Sequence, residues 1–197
     1  MFKESGGRAD KSAVERIRAS LGLAAVVGVL ASAPIAAATG TTVHRGERQQ
    51  VLALPSLNTT IVARVNAIRV AHGLRRVTIA PGLVAAARLH TRQMAETGRF
   101  EHESPDGTPF WQRVRHFYGK VGFRGWTVGE TLVWQSPAAT AAGVVTAWLD
   151  SPPHRRILLD PRWHEVGVGA VQDSAAPGDF EGLQATIVTA DFGVRDR

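Results

Sequence analysis

Apolar residues recur at helical spacing in two long stretches in the first half of the chain. The first stretch surrounds Asn58, a residue type that favours the N-cap of a helix, and Gly73 closes it as a C′ glycine. The second begins at Pro81, which suits the first helical position, and ends at Gly98. The apolar stripe of the first helix consists of Leu57, Ile61, Val65 and Ile68, with Arg64 and Arg69 off it.

One face of the second predicted helix carries a histidine among apolar residues. A histidine in that setting is more often a core residue bonded to a backbone carbonyl than part of a functional site. We therefore predict a structural role for His90. The face consists of Leu83, Ala87, His90 and Met94.

A short helix, a strand and a third helix are predicted next along the chain. Residues 108–118 favour a short helix, and the apolar run 126–134 favours a strand with Glu130 inside it. Ser136 and Pro137 then predict the cap and the first position of the third helix. The buried stripe of that helix consists of Ala141, Val144, Val145 and Trp148.

Two further strands complete the pattern. Residues 165–171 alternate valines with glycines, and residues 183–192 form a second apolar run. The segment 173–182 between them, with Pro177 among its turn formers, predicts a hairpin loop. Helices mixed with a small antiparallel sheet indicate the α+β class.

The N-terminal region differs in composition from the rest of the chain. A polar, basic segment precedes an almost wholly apolar run that ends in small residues, so residues 1–38 predict a signal peptide or an N-terminal membrane anchor. Residues 39–56 lack a clear period and predict a linker. The folded domain is expected to occupy residues 57–197.

Composition narrows the class of protein further. The chain has 197 residues and a net charge of +6, but its arginines are dispersed, so we expect no nucleic-acid partner. It contains no cysteine, which excludes disulfides and thiolate zinc sites. Glycine-rich phosphate loops, Gly-x-Ser-x-Gly elbows and zinc-protease helix motifs do not occur in it.

Three side chains form the candidate site. His102 lies in a turn-rich loop, and His154 follows a Ser-Pro-Pro sequence that cannot continue a helix. Glu130 lies within an apolar strand, where a carboxylate needs a partner. Two imidazoles and a carboxylate fit a divalent metal such as zinc, or a metal-free hydrogen-bonded cluster at a cleft. The spacing alone leaves both open.

Four short motifs follow one another along the chain: Phe100-x-His102-x-Ser104-Pro105-Asp106-Gly107, Gly129-Glu130, Trp148-Leu149-x-Ser151-Pro152-x-His154-Arg155 and Gly167-Val168-Gly169. Together they resemble the CAP superfamily of cysteine-rich secretory, antigen 5 and pathogenesis-related proteins, also called the SCP domain. The similarity is to its bacterial, cysteine-free branch, and it runs from about Leu57 to Gly193.

The resemblance implies a three-layer α-β-α sandwich with a three-stranded antiparallel sheet. It also implies a large cleft lined by two histidines and two acids, of which His102, Glu130 and His154 match three. The fourth position falls at Ser151, where the family often has an acid. Because a hydroxyl is a poorer ligand than a carboxylate, any zinc or other divalent metal should bind weakly.

Two functions follow as expectations. The first is a secreted or cell-surface protein that binds a lipid, a sterol or another cell-envelope ligand in the cleft. The second is a metal-dependent peptidase or esterase that uses the same cleft. We expect an extracellular or cell-envelope location, with membrane contact only through an uncleaved N-terminal segment.

Overall fold

The computed structural model describes residues 49–119 and 121–196. The predicted signal peptide or anchor, residues 1–38, lies outside the described residues, as does the first part of the predicted linker. The elements follow in the order β1 (Val51–Ala53), α1 (Pro55–Ala71), β2 (Thr78–Ile79), α2 (Pro81–Thr97), α3 (Phe110–Phe117), β3 (Gly125–Gln135), α4 (Ala141–Asp150), α5 (Pro152–Leu158), β4 (Glu165–Ala176) and β5 (Leu183–Asp196).

One mixed sheet forms the middle layer. Its long strands β4, β5 and β3 are antiparallel neighbours, as the expected three-stranded sheet requires. Two short strands extend it along the outer edge of β4, β1 in the antiparallel and β2 in the parallel direction. Strand β3 therefore lies at the opposite edge.

Side chains alternate between the two faces of the sheet, so each face has its own core. Residues of β3, β4 and β5 pack on one face against α1 and α4, where Trp148 is fully buried as predicted. Its indole Nε1 donates to the carbonyl of Leu132 at 3.1 Å. The other face packs against α2 and α3. These layers form the predicted α-β-α sandwich.

The two long helices confirm the sequence prediction in most respects. Gly73 and Gly98 follow their ends with φ of 70° and 72°, in the left-handed region where glycine is favoured. The predicted cap at Asn58 is wrong, because α1 already begins at Pro55. The backbone N–H of Leu54 bonds Ala170 of β4 at 3.0 Å, so the sheet determines where this helix begins.

The third long helix begins later than predicted. Ser136 and Pro137 lie outside α4, and the cap is Thr140, whose hydroxyl accepts from the N–H of Gly143 at 3.0 Å. Several residues in this region favour a cap, and spacing alone does not rank them.

Arg69 was expected to lie outside the buried stripe of α1, but it is fully buried. It donates to the backbone carbonyls of Arg75, Leu158 and Asp160 at 2.7–3.0 Å and to that of Trp163 at 3.5 Å. These bonds hold the end of α5 against α1.

The sheet also occupies part of two segments predicted as irregular. Strand β1 lies within the predicted linker 39–56, where Val51 pairs with Asp173. Strand β4 continues to Ala176, inside the predicted hairpin loop 173–182. No helix in residues 49–119 and 121–196 is long and apolar enough to cross a membrane.

Candidate functional site

The candidate site is built around Glu130 on the edge strand β3. This residue points to the face of the sheet that α2 and α3 cover, and its side chain has no exposed surface. A buried carboxylate needs hydrogen-bond donors to remain charged. The surrounding elements provide two.

Each oxygen of the Glu130 carboxylate has its own donor. His102 Nδ1 lies 2.8 Å from Oε1, and Arg113 Nη2 lies 2.5 Å from Oε2. Burial alone would raise the pKa of Glu130, but the His102 hydrogen bond and the charge of Arg113 outweigh it and lower the pKa. Glu130 is therefore a carboxylate whose charge is satisfied within the protein.

Arg113 is a member of this cluster that the sequence analysis missed. Its side chain is only 3% exposed, and a second nitrogen, Nη1, donates to the carbonyl of His102 at 3.2 Å and to the hydroxyl of Ser104 at 2.9 Å. One guanidinium thus fixes both Glu130 and the loop that carries His102. A signal was present, because Arg113 adjoins Val114 on the buried side of α3.

Asp191 is a second acid that the analysis did not place in the site. It pairs directly with Glu130 across β3 and β5 and is completely buried. Neither of its oxygens receives a hydrogen bond from a described donor. Burial, and then the neighbouring charge of Glu130, raise the pKa of Asp191 well above its ordinary value. Burial thus favours the protonated form of Asp191 beside the charged Glu130.

His154 lies on α5, which contacts the edge strand β3. It was predicted to lie in a loop, but it occupies the first turn of α5, because Pro152 and Pro153 start a new helix instead of a loop. It is half-buried, and burial, with a smaller contribution from the charge of His102, lowers its pKa to about 4. His154 is therefore neutral at physiological pH.

The structure does not bring the predicted residues equally close together. His102 and Glu130 are in contact, whereas His154 is linked to His102 only through the effect of the His102 charge on the pKa of His154. Ser151, the predicted fourth position, is the residue before α5, and its carbonyl accepts from the N–H of Arg155 at 2.8 Å. The pair His102–Glu130 is therefore the centre of the site.

The described residues contain no preformed site for the predicted divalent metal. Among residues 49–119 and 121–196, no group of three His, Asp or Glu side chains could hold a metal ion. The physical reason is that both oxygens of Glu130 already accept hydrogen bonds. The geometry matches the metal-free hydrogen-bonded cluster, and metal binding stays a prediction.

His90 has the structural role predicted for it. It is 1% exposed, and its Nε2 lies 2.9 Å from the carbonyl of Glu101. Burial lowers its pKa to about 4, so it is neutral. This bond joins α2 to the start of the loop that carries His102.

A cavity of about 470 Å³ lies elsewhere on the domain. It is lined by residues 53–57 and by Ala138, Ala139, Gln172 and Thr186. None of the predicted site residues contributes to it.

Comparison with known proteins shows relatives in bacteria. The chain is 32% identical over 116 residues to the uncharacterized protein YkwD of Bacillus subtilis (strain 168), covering 58% of this chain and 42% of that protein. It is 31% identical over 109 residues to the uncharacterized membrane protein YlbC of the same organism, and this match covers 55% of this chain and 30% of that protein. The match thus spans less than half the length of either curated relative.

Solved structures show the same fold. An extracellular SCP-domain protein of Bacillus anthracis matches with a TM-score of 0.54 and 24% identity, over 72% of this chain and 41% of that one. An outer surface protein of Borrelia burgdorferi matches with a TM-score of 0.56 and 20% identity, over 70% of this chain and 92% of that one. The family model named CAP, the cysteine-rich secretory protein family, matches residues 62–192. Because that match covers most of the folded part, the chain belongs to the CAP family.

Proposed function

We propose that this chain is a secreted or cell-surface binding protein whose His102–Glu130 site holds a lipid or another cell-envelope ligand. One observation carries the proposal: both oxygens of the buried Glu130 accept hydrogen bonds from the protein itself. The carboxylate is therefore not available to a ligand. The imidazole of His102, with 44% of its side chain exposed, is the polar group that remains at the surface.

The bonding of the two histidines indicates the ligand chemistry. The Nδ1–H of His102 donates to the carboxylate, which leaves Nε2 for a ligand. The neutral ring of His154 offers one donor and one acceptor. Such groups suit hydroxyl, amide and ester groups, which occur in the lipids and polysaccharides of cell envelopes. The ring of Phe110, with its centroid 6.2 Å from that of His102, adds an apolar wall.

The proposed location rests on similar proteins. One structural neighbour is described as extracellular and another as an outer surface protein. A leader in residues 1–38 would bring this chain to the same compartment.

A hydrolase is the second candidate, and one contact favours it. A carboxylate bonded to Nδ1 of a histidine orients the ring so that Nε2 can accept a proton from water. Against it, Ser104, the hydroxyl beside His102 in sequence, is 6% exposed and accepts from Arg113, so it is not presented as a nucleophile.

Ligand capture with matched variants tests the proposal. The protein would be incubated with extracted envelope lipids and, separately, with cell-wall polysaccharide, and the retained molecules identified by mass spectrometry. We expect His102→Ala to lose the retained ligand, whereas His164→Ala, an exposed histidine on the turn before β4, keeps it. Equal retention by all three proteins would refute the proposed site.

Two further assays separate the alternatives. The native protein would be assayed for hydrolysis of a panel of peptides and esters. Hydrolysis that is lost in both His102→Ala and His154→Ala would favour the hydrolase. Zinc calorimetry on the same proteins tests the metal prediction. A zinc-binding heat that is present in the native protein and lost in both variants would support a metal. Equal heats in all of these proteins would refute the metal prediction.

A further inference from the structure

The segment between Asp106 and Glu130 has an unusual composition. It contains no acidic residue, although it includes α3, the following loop and the first half of β3. It is basic and rich in aromatic residues at the same time. Its basic side chains are Arg113, Arg115, Lys120 and Arg124, and its six aromatic ones are Phe110, Trp111, Phe117, Tyr118, Phe123 and Trp126.

Part of this apolar surface is exposed to solvent. Val121 in the loop after α3 is 94% exposed, the largest value among the large hydrophobic residues described as exposed. Phe117 and Trp111 are 39% and 37% exposed. Trp111 and Arg115 are four residues apart on α3, so they lie on one face of the helix. Isolated exposed hydrophobic residues are ordinary, but several in one short segment need an explanation.

The charges around this surface are mainly positive. Arg115 and Arg124 are exposed, and neither has a carboxylate partner among the described residues. The guanidinium of Arg195 lies 4.7 Å from the ring centroid of Phe123 and is paired with Glu165. Asp196 is a further acid in this region, beside Gly125 at the start of β3. The surface therefore favours a partner with negative charge.

We propose that Trp111, Arg115, Phe117, Val121 and Arg124, called the α3 surface, dock on an anionic lipid bilayer. Tryptophan is enriched at the interface between lipid and water, and arginine keeps its charge at the headgroups while its stem contacts apolar groups. Anionic headgroups attract such cations. The partner must then offer negative charge and an apolar layer together, and a bilayer offers both.

This docking goes beyond the proposed function and does not depend on it. It also differs from the expectation that the membrane is contacted only through the N-terminal segment. Helix α3 additionally carries Arg113 and Phe110, which contact Glu130 and His102. Docking through α3 would thus place the His102–Glu130 site beside the lipid headgroups.

Quenching of tryptophan fluorescence by brominated lipids tests the proposal on the full chain. All five tryptophans lie at or after Trp111, so the signal reports on the folded domain whatever residues 1–48 do. With vesicles of phosphatidylcholine and phosphatidylglycerol brominated in their acyl chains, we expect quenching that pure phosphatidylcholine does not produce. Trp111→Phe should remove most of it, and 0.5 M salt should weaken it severalfold.

Matched variants make the test specific to the α3 surface. Val121→Asp should weaken vesicle binding severalfold, whereas Leu183→Asp, at a residue 43% exposed, should not. The double variant Arg115→Glu with Arg124→Glu should abolish vesicle binding and its quenching. The control double variant, Arg88→Glu with Arg92→Glu on α2, makes the same change in net charge and should leave the quenching intact.

Three results would overturn the proposal. The first is equal weakening by both pairs of charge reversals. The second is full quenching in Trp111→Phe. The third is binding to a soluble anionic polysaccharide without any quenching by vesicles, which would make a polysaccharide the partner instead of a bilayer.

Discussion

Replacing Arg113 with methionine removes the cation that balances the buried charge of Glu130. Methionine keeps an unbranched apolar stem of similar length, so the change isolates the guanidinium. The side chains are 3% and 0% exposed, which makes this a buried ion pair. Its loss leaves Glu130 in the protein interior with His102 as its remaining hydrogen-bond partner.

The size of the effect follows from burial. Removing one partner of a buried pair costs about 3–5 kcal/mol, because the other charge stays desolvated. Ser104 and the carbonyl of His102 also lose a donor, at about 1 kcal/mol each. We therefore expect Arg113→Met to lower the free energy of unfolding by about 5–7 kcal/mol. Because Glu130→Gln removes the carboxylate charge, the double variant should lose at least about 2 kcal/mol less than the two single losses combined.

Urea denaturation at pH 7, followed by tryptophan fluorescence, measures each loss. Arg162→Met is the matched control, because Arg162 forms an ion pair with Asp160 at 2.6 Å but is 64% exposed. That control should lose less than about 1 kcal/mol. A loss below about 1 kcal/mol for Arg113→Met, or strictly additive losses in the double variant, would refute the buried pair as described.

Three other changes test separate parts of the structure. Trp148→Ala should lower the free energy of unfolding by about 3–5 kcal/mol in the same urea assay, since the indole is fully buried; a loss under about 1 kcal/mol would contradict this. Asp191→Asn should become increasingly stable relative to the native chain as pH rises from about 4 to 7. The unfolded aspartate ionises there, whereas the raised pKa of the buried one opposes its ionisation; urea curves at both ends of this range would show a constant difference if the pKa of Asp191 were not raised. Gly167→Ala should lower the melting temperature sharply, because its Cβ would lie 2.1 Å from the backbone of α2, whereas Gly143→Ala meets the end of the flexible Gln135 side chain and the hydroxyl of Thr140 at 3.0–3.4 Å and should be tolerated.

Local chemistry made much of the helical structure predictable. The apolar stripes of α1, α2 and α4 repeat at the helical period, and the buried faces of α2 and α4 contain the predicted positions, whereas in α1 only Ile61 and Val65 of the predicted stripe are fully buried. Gly73 and Gly98 mark helix ends because a left-handed residue is favoured there. The same kind of argument found Glu130, since a lone acid in an apolar strand needs partners.

Asp191 shows where this reasoning could have gone further. It also lies in an apolar strand, between Ala190 and Phe192, and is as unusual there as Glu130 is in β3. The signal was available in the sequence. The sequence did not show which residue this acid meets, because the strand register that pairs Asp191 with Glu130 joins residues far apart in the chain.

Sequence patterns predicted the approximate positions of the long helices and long strands, the α+β class and the pair His102 and Glu130, which the structure brings into contact. Those features depend on periodicity, turn chemistry and short motifs, which act over a few residues. The tertiary structure decided which charges meet: Arg113 with Glu130, Asp191 beside it, and Arg69 against the end of α5. It also decided the short strands β1 and β2, which exist through their pairing with β4. Such contacts depend on how distant segments pack, and burial then determines the cost of each unpaired charge.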